Sequence, residues 1–278
     1  MDYKLVVDSC CDVSEELEEG IVVDYIPLSI NIDNVEYVDD QNLDIDSFLA
    51  AINKSKDSAT SACPAPEAFA SKFREAKNVF VITLSSRLSG SYNSAVLAKD
   101  IVDGENKGHK IHIFDSLSAS AGEILVGLKI KECLENKLDF EAIIEHISLF
   151  IKDMKTFFVL ENLDTMVKNG RLGKVAGQLA SVLSIRPVLG SDGDGNIKLF
   201  EKVRGTKKAL IHLVDMIAHH APHTEGRDLV ITHCNNEEKA LWVKSMIEEK
   251  YSFKKIYVIS TCGLSSFYAN EGGIIVAY

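Results

Sequence analysis

Three times in the first half of the chain, a short apolar stretch runs into a polar loop and then into a helical pattern. Tyr3–Val7 leads to Asp8-Ser9, with Asp12 beyond it and Ser14 placed to cap a short helix over Glu15–Glu19. Val79–Leu84 leads to Ser85-Ser86-Arg87-Leu88-Ser89-Gly90-Ser91 and a helix from about Tyr92 to Val102. Lys110–Phe114 leads to Asp115-Ser116, then Ser118, Ser120 and Gly122, and a long helix to about Asn136. Short runs rich in Val and Ile between turn signals read as buried strands. Strand, polar loop and helix in repetition is the signature of a parallel α/β sheet. Loops leaving the C-terminal ends of such strands are where open α/β sheets bind ligands.

The central loop, residues 85–91, is the densest in chemistry. The helix behind it offers free backbone N–H groups and the positive end of its dipole. Ser85, Ser86, Ser89, Gly90 and Ser91 there make a neutral cradle for a carboxylate or phosphate. Each serine taken singly also fits as an N-cap, and Gly90 as a tight turn. A second hydroxyl loop, Thr60-Ser61-Ala62-Cys63-Pro64-Ala65-Pro66, precedes a helix to about Ala76, with Pro66 in its first turn. A cap followed by a rigid proline turn is the alternative there.

Ile21–Ile32 reads as two short strands near a sheet edge, because Pro27 cannot donate to a central ladder. The acidic stretch Asp33–Asp46 reads as solvated loops and helix starts. Phe140–Lys152 is an amphipathic helix and Thr156–Leu160 a strand. A short helix then closes at Gly170, with Arg171 just beyond it. The chain divides here into domains 1–160 and 161–278. Ser184–Leu189 and Ile197–Val203 flank Gly190–Asn196, where Asp192, Asp194 and Asn196 mimic the start of a calcium loop that would run from Asp192 to Val203. It lacks the required Gly and Glu at the sixth and twelfth positions, so a hairpin turn is expected. Arg204, Lys207 and Lys208 form a basic cluster opening a helix that ends near His219, His220 and His223. Those histidines suit a helix C-terminus and not a metal site. Leu229–Thr232 and Ile256–Ser260 are strands around a helix over Asn236–Lys250, and Ile274–Tyr278 is a final strand.

The formal net charge of −11 argues against nucleic acid and against a polybasic membrane anchor. No apolar run reaches the length of a membrane span, and the N-terminus lacks a secretory layout, so stable membrane insertion is not expected and the cytoplasm is. The six cysteines show no C-x-x-C pair and no zinc spacing. There is no G-x-S-x-G elbow, P-loop or dinucleotide fingerprint. Many hydroxyls without an evident base fit binding better than turnover.

The sequence resembles the DegV family of bacterial fatty-acid-binding proteins, which includes the fatty acid kinase B subunits. The resemblance is carried by Asp8-Ser9, Ile26-Pro27-Leu28, Thr60-Ser61 with Pro64-Ala65-Pro66, and the loop Ser85 to Tyr92. It continues through Asp115-Ser116, Leu160 to Gly170-Arg171, Arg186-Pro187-Val188-Leu189, and Arg204 to Lys208. It implies an N-terminal parallel-sheet α/β domain and a C-terminal α/β domain with a mixed or antiparallel sheet. It also implies one long-chain fatty acid, such as palmitate, between them, and no other cofactor. The carboxylate maps to Thr60 or Ser61 and to Ser89, with Gly90 and Ser91 adjacent.

In the kinase B subunits a separate kinase converts the bound carboxylate to an acyl phosphate. Arg171 resembles the family arginine linked to that transfer, and Arg204, Lys207 and Lys208 resemble a kinase-docking patch. Where the family often has His-x-Gly-Pro-Gly, this chain has Tyr268-Ala269-Asn270-Glu271-Gly272, so Tyr268 or Asn270 is the substitute donor. The expectation is a fatty-acid carrier that presents its ligand to a kinase and turns nothing over alone. A Ser-dependent acyl hydrolase and a lipid sensor without phosphorylation are the alternatives.

Overall fold

A computed structural model of the chain describes residues 3–12, 14–55, 59–179, 185–221 and 223–278. Met1, Asp2 and Ser184, which figured in the N-terminal and strand expectations, lie outside the described residues. The first half runs β1 (Tyr3–Asp8), α1 (Glu15–Glu18), β2 (Val22–Ile26), β3 (Ser29–Ile32), β4 (Val35–Val38), α2 (Ile45–Lys54) and β5 (Thr60–Ala62). It continues with α3 (Pro66–Phe73), β6 (Asn78–Thr83), α4 (Ser91–Gly104), β7 (Lys110–Asp115), α5 (Ala121–Glu135) and α6 (Phe140–Asp153). The second half runs β8 (Thr156–Val159), α7 (Asp164–Lys168), α8 (Lys174–Leu179), β9 (Ile185–Ser191), β10 (Ile197–Arg204) and α9 (Thr206–His220). Then come β11 (Asp228–His233), α10 (Glu237–Lys250), β12 (Lys255–Ser260), α11 (Gly263–Ala269) and β13 (Ile274–Ala277).

The expected parallel sheet is present, in the order β2-β1-β6-β7. Its strands are paved by Leu5, Val7, Phe80 and Ile82 on one face and by Val6, Val79 and Val81 on the other. Burial on both faces explains why these runs are continuously apolar. The second sheet, β10-β9-β8-β13-β11-β12, is mixed: only β11 and β12 pair in parallel. The chain is therefore an α/β protein with a parallel N-terminal sheet and a mixed C-terminal one. By sheet membership β8 goes with the second half, although it precedes the boundary expected after residue 160.

Helix α5 joins the two halves. Its residues Ile124, Leu125, Val126, Leu128 and Ile130 share one core with Phe80 of β6, Val230 of β11 and Ala277 of β13. A helix covered on both sides carries apolar residues all round, and α5 does. Gly127 lets α1 approach closely: a Cβ there would come within 2.8 Å of Leu17 Cδ1.

A third sheet, β4-β3-β5, is antiparallel: β3 is the second of the two short strands expected within Ile21–Ile32, β4 lies where solvated loops and helix starts were expected, and β5 lies in the second hydroxyl loop. Pro27 ends β2, which is an edge strand as its proline requires, and the chain leaves the parallel sheet. Asp33 and Asn34, at φ of 50° and 66°, make the tight turn between β3 and β4. These strands are three or four residues long and largely exposed outside Ile30 and Ile32, so their alternation is too brief to stand out from an acidic stretch.

Candidate functional site

The polar loops after β1, β6 and β7 meet, together with the β5–α3 loop. Asp8 accepts from the backbone N–H of Leu84 at 3.0 Å and from Ser91 Oγ at 2.5 Å. The N–H of Ser85 donates to Ser118 O at 2.8 Å, and that of Ser86 to Asp115 Oδ1 at 3.1 Å. A Cβ at Gly90 would lie 3.0 Å from Cys63 Sγ, and Ser94 Oγ donates to Pro64 O, so the two hydroxyl loops abut.

The second half closes over this edge at α11, at the β9–β10 tip and at Arg171, among other contacts. Asp12 and Asp39 take the free N–H groups at the start of α11: Cys262 N at 2.6 Å, Gly263 N at 2.7 Å and Leu264 N at 2.8 Å. Satisfied this way, the short helix α11 is pinned to the first half. The tip of the β9–β10 hairpin reaches back so that Ser85 Oγ donates to Gly195 O at 2.8 Å. Gly195 sits at φ +87°, and a Cβ there would meet Ser85 Oγ at 2.3 Å, so only glycine fits. Arg171 spans the third contact, donating from Nε to Leu88 O at 3.1 Å.

Between the halves lies a cavity of about 850 Å³, measured out to its mouth. Its walls are mainly apolar: Leu28, Leu84 and Leu88 from the first half face Phe158, Leu160 and Ile275 from the second. One part of the wall is polar and is formed by Ser61, Ser89, Tyr268 and Arg171.

Counting protons shows what that part can bind. Ser61 Oγ and Tyr268 OH are 2.8 Å apart, so one of their two protons joins them and the other is left over. Ser89 Oγ accepts from Ser91 N–H at 3.2 Å, and its own proton has no acceptor among the described residues. Arg171 uses Nε on Leu88 O and Nη1 on Asn169 O at 2.5 Å, leaving Nη2 without a partner among the described residues. Burial pushes the Tyr268 phenol above its ordinary range, against the pull of Ser61 and Arg171, so it stays a donor at neutral pH. Spare donors gathered at one end of an apolar cavity suit an anionic head on an oily body.

Beneath the loops lies a set of fully buried acids. Burial pushes the Asp8 carboxyl up to about 6 and the Asp12 carboxyl up to about 7, despite the donors each accepts. Glu123 is also fully buried and is held far above the usual carboxylate range, by burial first and then by the Asp8 charge. Its two carboxyl oxygens have no hydrogen-bond partner among the described residues.

The expected site residues divide on this geometry. Ser61, Ser89, Tyr268 and Arg171 line the cavity. The alternation of β5 puts Thr60 on the exposed side of the strand, where it pairs with Asn31. Ser91 is fully buried and its hydroxyl is committed to Asp8, while Gly90 packs on Cys63; neither is in the cavity wall. Asn270 is turned outside the wall, with its Nδ2 reaching Thr165 Oγ1 and Tyr268 O at 3.5 and 3.4 Å. Arg204, Lys207 and Lys208 are exposed at the β10–α9 joint, also outside the wall, with Lys207 Nζ 5.8 Å from the Trp242 ring centre. The cradle expected to be neutral therefore carries one cation, because Arg171 folds into it. Among the described residues lining the cavity there is no histidine to serve as base for a serine nucleophile.

Sequence reading missed Ser118, Thr156, Met166, Leu264 and Ser265 as wall residues. It also took the β9–β10 tip for a plain turn. The tip carried one signal, a glycine at position 195 within a dense Gly-Asp run.

Comparison with known proteins places the fold. The DegV family profile matches residues 2–278. A DegV domain-containing protein of Streptococcus pneumoniae strain R6 is 36% identical over 280 residues, 100% of this chain and 99% of the relative. A DegV-family protein of Ruminococcus gnavus, refined with vaccenic acid, has a TM-score of 0.95 at 39% identity, covering 100% of this chain and 99% of that one. The fatty acid kinase B3 protein of S. pneumoniae, loaded with linoleic acid, has a TM-score of 0.93 at 35% identity, with coverage of 100% and 99%. Among the described residues, no helix is long and apolar enough to cross a membrane.

Proposed function

Since the chain belongs to the DegV family, we propose that its cavity holds one long-chain fatty acid, with the carboxylate at Ser61, Ser89, Tyr268 and Arg171. The single observation that carries this is the set of donors without acceptors gathered at one end of a mainly apolar cavity. Solved relatives bound to vaccenic and linoleic acid support it. A tail of about fifteen carbons gains roughly 12 kcal/mol gross at about 0.8 kcal/mol per carbon. Lost freedom and tail ordering take back much of that. The head must then find donors on entering a dry site, or its desolvation cancels the gain.

The ligand is presented to a partner kinase in the cytoplasm, which phosphorylates the carboxylate, and this chain needs no cofactor of its own. Two features support that reading: likeness to a fatty acid kinase B3 protein, and the exposed basic cluster Arg204, Lys207 and Lys208. Native mass spectrometry of the purified protein should show the added mass of a fatty acid. An apo mass together with no uptake of added palmitate would overturn the binding role. Failure of a matched kinase to form acyl phosphate on the loaded protein would remove the presenting role and leave binding intact.

A further inference from the structure

We propose that the hydroxyl pair Ser118–Thr156 is a second polar station in the cavity, selecting acyl chains that carry an oxygen acceptor within their hydrocarbon span. The inference rests on the fatty-acid reading and names the class of chain within it. Ser118 Oγ and Thr156 Oγ1 are 2.7 Å apart, both residues line the cavity, and they are only 4% and 7% exposed. Two hydroxyls carry two protons, and their mutual bond uses one. Neither oxygen has another side-chain or backbone partner among the described residues. The nearby carbonyl of Ser118 is already taken, by Ser85 N–H at 2.8 Å and Ser116 Oγ at 3.2 Å.

Outside the donor-rich end, half-buried Ser191 and buried Ser265 and Ser120 have places for their protons. Ser191 donates to Leu117 O at 3.0 Å, Ser265 to Cys10 O at 3.4 Å, and Ser120 to Asp12. The Ser118–Thr156 pair therefore stands apart from them. The fold also makes room for it. A Cβ at Gly122 would lie 2.0 Å from Ser118 Oγ. Leu117 and Ser120, on either side, are held at φ of 51° and 53°.

The pair faces the chain and not the head. Thr156 and Phe158 of β8, and Leu160 just past its end, alternate onto the cavity face. At about 3.3 Å per residue, Thr156 lies about 13 Å along the strand from Leu160. Leu160 packs with Met166 and Tyr268, at the donor-rich end. A plain alkyl segment over the pair leaves a buried O–H without an acceptor, whereas a keto or hydroxyl oxygen on that carbon supplies one. A site built to hydrogen-bond a group discriminates against the analogue that lacks it.

The test is a competition series on delipidated full-length protein, with octadecanoic acid and its mono-oxo isomers, the keto carbon moved stepwise along the chain. One isomer, or two adjacent ones, should bind about tenfold more tightly than octadecanoic acid. The double variant Ser118→Ala/Thr156→Val should bring that ratio to unity. Either single variant should keep most of the preference, because the remaining hydroxyl still has its own proton. A ratio at or below unity for every isomer, or a preference that survives the double variant, overturns the proposal. If the double variant does not fold, the wild-type isomer scan decides alone. If octadecanoic acid and all isomers fail to bind, the fatty-acid reading falls with it; if octadecanoic acid binds and no isomer is preferred, only the second station falls.

Discussion

Ser89, Ser91 and Ser120 sit where parallel strands hand over to helices, and Ser61 sits on the neighbouring strand β5. Ser91 donates to buried Asp8 and Ser120 to buried Asp12, so their hydroxyls tie loops together and have nothing left to offer. Ser89 and the Ser61–Tyr268 pair keep protons with no acceptor, and they face a cavity. A serine-rich loop is thus scaffold or site according to where each proton goes, and residue type alone does not separate the two.

Variants can break this division. Arg171→Ala removes the one cation from the donor-rich end and should weaken fatty-acid binding by about 2–3 kcal/mol, the scale of a hydrogen bond to a charged group. Calorimetry on delipidated protein measures it, and unchanged affinity would move the carboxylate elsewhere. Ser91→Ala leaves the buried Asp8 short of a donor and should cost about 1–3 kcal/mol of stability in urea unfolding, with ligand affinity unchanged. A loss of affinity in a stable Ser91→Ala protein would erase the contrast.

Ser89→Ala should act mainly on affinity, lowering it by about 1–2 kcal/mol, with a smaller loss of stability than Ser91→Ala because only the bond from Ser91 N–H is given up. Ser61→Ala and Tyr268→Phe should each have a smaller effect than Ser89→Ala, because either leaves one hydroxyl with a free proton. Their double variant should match or exceed Ser89→Ala, and strict additivity in that cycle would contradict the shared-proton picture.

The last test concerns the dependence of stability on pH. The folded state raises Asp8 and Asp12 to about 6 and about 7, above the unfolded value of about 4. The folded protein then holds protons that the unfolded chain releases. Their contribution to stability is fully present below about pH 4 and is lost as pH rises through 6 to 7. Asp12→Asn should flatten the slope of Tm between about pH 4 and 7. An unaltered slope would mean that Asp12 does not titrate in that window.

Much of the architecture was legible from residues alone. Val79–Leu84 and Lys110–Phe114 announced buried parallel strands because a strand covered on both faces must be apolar throughout. The loops after them were correctly placed at one sheet edge. Of the three-stranded sheet only β3 was legible, as a short strand; its union with β4 and β5 rests on backbone pairing that side-chain pattern does not encode. The choice between Thr60 and Ser61 also waited on β5, because a one-residue change of register sends a side chain to the opposite face.

The chain's own order of residues determined the α/β class, the polar loops at the strand ends, and the candidate residues among which the cavity wall was found. Tertiary structure alone decided which hydroxyls point inward, that Arg171 joins them, and that the β9–β10 tip and α11 complete the wall. The reason is physical. Periodicity records whether a side chain meets apolar surroundings or water. A proton's acceptor is set by groups tens or hundreds of residues away, as with Ser61 and Tyr268 or Asp12 and Cys262.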